Sequence, residues 1–430
     1  MGAKSITRRD VLKGATAGAA GAGLFTIVPR HVLGGPSRTA PSDTITRGVI
    51  GVGYRGCVAH TKPNEPGKPP VTLAVCDVDR VHLAGALRKA GPPCKGYSDF
   101  RRVLERRDID AVYVVTPPHW HALVCVAAAQ AGKDIFCEKP MTHHVSEGRR
   151  VVRAVERYRR VFQIGTFGRF RMCRDRRMRE ARKVMASSLL PRDRAPWVLS
   201  NSQWNVRIWL GRTDLPPQPV PATLDYDFWL GPAPVKCYHW HRVHNPNPGV
   251  LGMSSFRAYW DYDGGGLGDM GQHHLDGIQW ALDKDRTSPV EVQAHAPWPA
   301  HDDAVGLWGH VIFTYADGTR IVIDSREWGE PWKGQPRWPG SADLRLDDRP
   351  KLAAMPEPDE LVDFETAVRT RRPAGGDAEA SHRCATLIHL ANIAIRTGRK
   401  IRYDPAAERI IGDDAADALL DPPMRPPWTL

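Results

Sequence analysis

The chain predicts two α/β units in series. The first is a doubly wound parallel sheet, and the second is an α+β unit on a large, open, mostly antiparallel sheet. Three observations carry this. Apolar, strand-like runs alternate with helix-like stretches between residues 45 and 165. The first of those runs leads straight into G-x-G-x-x-G. Strand-like stretches then recur at 290–296, 305–315 and 319–323, flanked by helical segments.

Residues 46–52 are the first strand, and Gly51, Gly53 and Gly56 follow with Tyr54 and Arg55 between them. Gly51 permits the tight turn, Gly53 lets the backbone approach a pyrophosphate, and Gly56 permits close packing of the helix expected next. Such a helix start would offer unpaired N–H groups to phosphates. A Pro/Gly-rich loop over 61–70 separates this turn from a second strand, 71–76, which ends at Asp77. A carboxylate there accepts from ribose hydroxyls and disfavours a 2′-phosphate, so NAD is expected before NADP, with Arg80 moderating the preference. Helix 80–90, strand 110–116, helix 119–132, strand 134–140 with a charged end, helix 145–158 and strand 161–165 continue the alternation. The run Ala111 to Val115 is continuously apolar, as a sheet covered on both faces requires. Ligands of such Rossmann sheets bind beyond the carboxyl ends of the strands. Gly51–Gly56, the segment from Thr116 and Pro117 to His121, and Glu138-Lys139-Pro140 all fall there.

The second unit starts with a helix over 172–187, then a Pro/Trp/Arg-rich insertion over 188–236 holding Trp197, Trp204, Trp209 and Trp229. Asp317-Gly318 is a hairpin turn between the last two strands. Helices follow at 361–370 and 381–398, the latter capped by Ser381 and stopped by Gly398. Between insertion and sheet lies W-D-Y-D-G-G-G-L-G-D-M-G-Q-H-H-L-D, residues 260–276. Its glycines let the chain approach a ligand. Asp269 and His273 are four apart and share a face if a helix starts there.

Together, Gly51–Gly56, Thr116-Pro-Pro-His-Trp-His121, Glu138-Lys139-Pro140 and the glycine-rich D-x-x-x-H segment resemble the glucose–fructose oxidoreductase/inositol dehydrogenase/MocA family, over roughly residues 45–430. The resemblance implies an NAD(P)-dependent oxidoreductase. It implies that Lys139 sits between nicotinamide and substrate, that a proline in the preceding turn helps hold the cofactor, and that Pro140 can follow a cis bond. It also implies that Lys139, Asp269 and His273 bind a sugar or polyol, with the histidine as general acid/base. The chemistry is consistent with that. Oxidising a secondary alcohol removes a proton from oxygen and a hydride from carbon, and an unperturbed histidine takes a proton near neutrality. Lys139 would stabilise the alkoxide and Asp269 would orient hydroxyls. The competing reading is that Asp269 caps a helix and His273 packs on the sheet. Asp276 reads as structural.

Other residues stay open. His239, His241 and His244 lie near Tyr238 and Trp240, and His119 pairs with His121. They read as groove lining, as surface or core, or as a metal set; no cysteine or acid stands at motif spacing beside them, so no metal is assigned. Arg169 and Tyr262 are further substrate-contact candidates, and the tryptophans either stack on a sugar or pack in a core.

Residues 1–40 read as a twin-arginine export signal and linker, from Arg8-Arg9 before a weakly apolar Gly/Ala-rich run too short for a confident membrane span. A domain at 41–166, a domain at 167–415 and a proline-rich tail at 416–430, packed by Trp428, complete the division. The +12 net charge includes +5 from residues 1–40, and the dispersed +7 that remains does not suggest a nucleic-acid partner. The eight cysteines, placed mostly in apolar strands and helices with no C-x-x-C, read as small buried hydrophobes and not as a disulfide scaffold.

The expected function is oxidation of a secondary hydroxyl on a sugar, polyol or glycoside. Outside the cytoplasm free NAD is scarce, so export motivates either a bound, internally recycled cofactor or a reaction without net redox, and the sequence chooses neither. One alternative is an NAD-dependent glycoside hydrolase or lyase working through a transient 3-keto sugar; its exported relatives carry a Y-P-T-H segment that this chain lacks. A non-catalytic sugar- or nucleotide-binding protein is the third reading. The resemblance also implies a homo-oligomer, a dimer or tetramer, and the signal implies a periplasmic or other extracytoplasmic location.

Overall fold

The computed structural model describes residues 44–65, 70–200, 206–244 and 255–430. The export-signal reading and Trp204 fall outside the described residues.

The first sheet has six parallel strands: β1 (Thr46–Ile50), β2 (Val71–Cys76), β3 (Lys95–Tyr97), β4 (Ala111–Val114), β5 (Asp134–Glu138) and β6 (Phe162–Gly165), in the order β3-β2-β1-β4-β5-β6. That is the doubly wound Rossmann order. Helices α1 (Arg80–Ala90), α2 (Phe100–Leu104), α3 (Pro118–Gln130) and α4 (Val145–Arg157) cover it. Ile50 stands opposite both Cys76 and Val114, and Val114 opposite Cys137. The strand ends are therefore level, and Gly51, Asp77, Thr116 and Lys139 emerge along one edge of the layer. Sequence periodicity missed β3, because three residues leave no alternation to read. The helix expected after the glycine loop is a single π-helical turn, Gly56–His60. The proline at position 63 and the Pro/Gly-rich loop prevent its extension.

After β6 come α5 (Gly168–Met172), a short helix the sequence did not announce, and α6 (Arg176–Ala186), the helix expected over 172–187, which starts late at an Asp175 cap. The insertion supplies β7 (Trp197–Ser200), α7 (Tyr226–Leu230) and α8 (Trp240–Val243). Then follow α9 (Gly265–Ala281), β8 (Glu291–His295), β9 (His310–Thr314), β10 (Arg320–Asp324), α10 (Phe364–Thr370), α11 (Ala378–Thr397), β11 (Ile401–Asp404) and β12 (Arg409–Ile410). The second sheet runs β12-β11-β8-β9-β10-β7, antiparallel except for the β7–β10 pair. Asp377, not Ser381, caps α11 by accepting from the Ala380 N–H. The core of this unit is Leu267, Leu275 and Ile278 of α9, Leu387 and Leu390 of α11, and Val292, Phe313 and Ile321 of the sheet.

The eight cysteines are free thiols, five of them buried. The tail returns to the first domain: Trp428 packs on Trp120 at 4.7 Å and on Phe228 at 5.6 Å. No helix among the described residues is long and apolar enough to cross a membrane.

Candidate active site

A cleft of about 790 Å³ runs between the domains along the carboxyl edge of the first sheet. Gly51, Gly53, Tyr54, Arg55, Gly56, Asp77, Thr116, Pro117, Glu138 and Lys139 line one side. Asp269 and His273 reach it from α9, where they share a face as their spacing requires. The volume is of the size small-molecule and cofactor sites usually have.

The glycine loop fits a dinucleotide. Gly51 has φ +85°, and a Cβ at Gly56 would lie 1.9 Å from the Gly51 carbonyl oxygen. At Gly53, by contrast, a Cβ would meet nothing nearer than the His82 ring at 3.7 Å, so the backbone there is open to the cleft. Thr116 Oγ1 is buried without a hydrogen-bond partner. The Asp77 carboxylate is oriented by the N–H groups of Val52 (2.8 Å) and Asp79 (2.9 Å), and its remaining lone pairs suit ribose hydroxyls better than a phosphate. Glu138 ties the loop to β5. It accepts from Arg55 Nε at 3.0 Å and lies 2.7 Å from His60 Nε2. Burial opposes its charge, but the His60 contact and the Arg55 charge hold its pKa down to about 2. His60, which the sequence reading did not single out, is the inner half of that anchor.

Two expected cofactor residues do not face the cleft lining. His121 is buried, with Nδ1 2.7 Å from the Pro140 carbonyl and Nε2 2.8 Å from the Thr116 carbonyl. It ties the two turns together; burial keeps it neutral, so it donates to one carbonyl at a time. Pro140 follows a cis peptide bond and lines a second, small cavity.

At the substrate end, Lys139 Nζ donates to Asp269 Oδ1 at 2.7 Å and also to the Asp269 backbone carbonyl. Arg257, on the short turn Ser255–Ala258, donates from Nε to the same Oδ1 at 2.6 Å. Sequence reasoning missed Arg257, because a one-turn segment carries no motif or periodicity. Burial opposes the Asp269 charge, but these two cations hold its pKa well below the usual carboxylate range. His273 is also buried, and burial together with the Lys139 charge lowers its pKa to about 3. That corrects the expectation of an unperturbed histidine titrating near neutrality: the ring is neutral across the physiological range. Phe167, likewise missed, stacks on it at 4.2 Å.

Four substrate candidates are not on the cleft lining. Arg169 is 1% exposed and forms an ion pair with Asp276 at 2.7 Å and with Asp285 at 2.8 Å. Asp276 is fully buried in that pair and has the structural position expected of it. Tyr262 is fully buried against Trp229 and His119. His239 caps α8, and His241 bonds Arg212. Their neighbours Trp240 and His244 line the cleft instead, with Trp209 and Trp229 of the insertion. Packing, not sequence proximity, decides which of these side chains reach the groove. No group of three or more potential metal ligands gathers among the described residues.

Comparison with known proteins matches both domains. Residues 45–166 match the Oxidoreductase family, NAD-binding Rossmann fold, and residues 175–430 match the Oxidoreductase family, C-terminal alpha/beta domain. The inositol 2-dehydrogenase of Salmonella typhimurium is 30% identical over 128 residues, 30% of this chain and 38% of that protein. A glycosyl hydrolase family 109 protein of Saccharopolyspora erythraea is 33% identical over 175 residues, 36% of this chain and 38% of its own length. The chain thus aligns with about two fifths of these curated relatives. The WlbA dehydrogenase from Bordetella pertussis, solved with NADH and UDP-GlcNAcA, superposes with a TM-score of 0.53 at 17% identity, covering 84% of this chain and 98% of that one. It shares the fold. With both domains matched, the chain belongs to the glucose–fructose oxidoreductase/inositol dehydrogenase/MocA family of oxidoreductases.

Proposed function

We propose that the protein is an NAD-dependent oxidoreductase acting on a secondary hydroxyl of a sugar, polyol or glycoside, with NADP the less favoured cofactor. One observation carries this reading. Lys139, Asp269 and His273 meet in the same cleft as the glycine loop and Asp77. Bound NAD would accept the hydride at its nicotinamide. The chain does the rest. Lys139 Nζ sets a positive charge where the alkoxide develops. Asp269, fixed as a carboxylate, accepts from a neighbouring hydroxyl. His273 takes the hydroxyl proton as a neutral ring. Burial and the Lys139 charge lower the His273 basicity, and the same Lys139 charge favours the alkoxide, so the proton leaves the hydroxyl as the hydride departs.

The cofactor is expected to stay bound and be recycled between substrates. Backbone bonds from Arg80 N–H to the Thr223 carbonyl (3.0 Å) and from Asp225 N–H to the Val78 carbonyl (3.1 Å) hold the insertion over the turn that follows β2. Leu224, Phe228 and Trp229 line the cleft beside Asp77 and Phe100. Denaturing the purified protein and assaying the released nucleotide tests this. Stoichiometric NAD supports retention, and a protein without nucleotide that also takes up no added NAD refutes the whole reading.

The second reading, glycoside cleavage through a transient 3-keto sugar, is favoured by the name of the 33%-identical family 109 relative. Free aglycone from a glycoside without net NADH would establish it, whereas stoichiometric NADH supports simple dehydrogenation. Bound NAD with no turnover of either kind would leave the binding-protein reading.

Export through the twin-arginine machinery to the periplasm is proposed from Arg8-Arg9 and the run behind them. Replacing both arginines by lysine should hold the full chain in the cytoplasm; unchanged export would dismiss the signal. A homo-oligomer is proposed from the family resemblance, and light scattering on the full chain distinguishes it from a monomer.

A further inference from the structure

The turn before α9 carries an acid that the set Lys139, Asp269 and His273 does not include. Asp263 has a side chain 1% exposed, and it lines both the main cleft and a second cavity of about 30 Å³, room for about one water. Its Oδ1 accepts from the Gly264 N–H at 2.8 Å. The same oxygen fills the space of a side chain at Gly268, where a Cβ would lie 1.6 Å from it. The carboxylate is therefore locked against the first turn of α9, just before Asp269. Oδ2 is buried with no hydrogen-bond partner and stands 3.9 Å from Arg257 Nε. That Nε bonds to Asp269 at 2.6 Å. Arg257 thus stands between two carboxylates and is bonded to one.

The surroundings of Asp263 leave Arg257 as its partner. On the cleft side stand Arg257, Lys139 and Asp269. Behind it, His143 Nε2 is 3.3 Å from its backbone carbonyl, and His144, His389 and Arg396 line the small cavity. Burial lowers the pKa of His143 to about 4 and that of His389 to about 3, and it lowers His144 as well, so these rings are neutral at pH 7. A buried carboxylate with one oxygen left without a hydrogen bond is costly, and a proton on that oxygen or a nearby cation lowers the cost.

We propose that Asp263 is a positioning residue that competes with Asp269 for Arg257, so that its protonation sets how tightly Asp269 is tied when substrate arrives. With Asp263 protonated, Arg257 and Lys139 both hold Asp269 Oδ1. When the Asp263 proton leaves for bulk water, Arg257 is shared, and Asp269 is freer to accept from a sugar hydroxyl. Burial, partly offset by Arg257 and reinforced by Asp269, raises the Asp263 pKa to about 7. The exchange therefore falls near neutral pH. The consequence for substrate rests on the oxidoreductase reading; the competition itself does not.

Infrared difference spectra of the full chain, with carbon-13-labelled aspartate, read the carbonyl of a protonated buried carboxyl directly. The band should vanish as pH rises, with a midpoint near 7, and it should be missing in Asp263→Asn. In Arg257→Gln the midpoint should rise by about one unit or more, because a facing charge is gone. A band that survives Asp263→Asn, or a midpoint that Arg257→Gln leaves in place, overturns the proposal. If the asparagine variant does not fold, Asp263→Ala with Gly268→Ala serves instead, since the alanine at 268 takes the space the carboxylate vacates. A normal titration in a protein that binds no NAD would refute the oxidoreductase reading and leave the coupling standing.

Discussion

The two ends of the cleft are built on different principles. The dinucleotide end is mainly backbone: one loop of residues close in sequence, shaped by the absence of side chains at Gly51, Gly53 and Gly56. The substrate end is side chains from three distant stretches, at 139, 257 and 269–273, buried and charged against one another. The first can be spoiled by adding an atom. The second can be spoiled by removing a charge, because each partner left behind is buried without compensation.

The largest expected effect lies just behind the substrate end. Arg169→Met should leave Asp276 buried without its cation, and Asp285 with Arg182 alone at 3.4 Å, and lower unfolding stability by about 3–5 kcal/mol, read by denaturant titration. A change near zero would mean that the pair does not hold α5 to α9. At the substrate end itself, Lys139→Met should lower turnover by about 10²–10³-fold while the NAD content of the purified protein stays unchanged. Loss of both together would place Lys139 in cofactor binding instead. At the dinucleotide end, Gly56→Ala sets a methyl group 1.9 Å from the Gly51 oxygen. It should cost about 1–3 kcal/mol and empty the protein of nucleotide; full NAD content would show that the loop can shift.

The smallest effect is on pH. His119, His273 and His389 have pKa values lowered to about 3, and His143 to about 4, each first by burial. The unfolded chain binds protons at these sites near 6.5. Their contribution is therefore present above about 6.5 and is lost as pH falls toward the folded values. Glu147 and Asp263, with pKa values raised to about 7 by burial, act in the opposite sense and lose their contribution as pH rises through 7. Four groups outweigh two, so the melting temperature should fall between about pH 6.5 and 4.5. A flat calorimetric profile there would show that the histidines have access to water.

The same contrast explains what could be read from the sequence. The glycine loop, Asp77 and Lys139 follow strand ends, so local pattern places them. Asp269 and His273 need only the 3.6-residue period. Arg257 and Phe167 reach the site by packing and carry no local signal. Arg169, Tyr262, His239 and His241 sit near motif residues in sequence, yet the fold turns them into ion pairs, core and caps. Strands β3, β7, β11 and β12 are two to four residues long or lie inside an irregular insertion, too short for alternation to appear.

The decisive measurement is a structure of the full chain with NADH. The pyrophosphate should lie against Gly51–Gly56, a ribose on Asp77, and the nicotinamide in contact with Lys139 and facing His273. A nicotinamide lodged away from Lys139, or a chain that binds no NADH at all, would contradict the oxidoreductase reading.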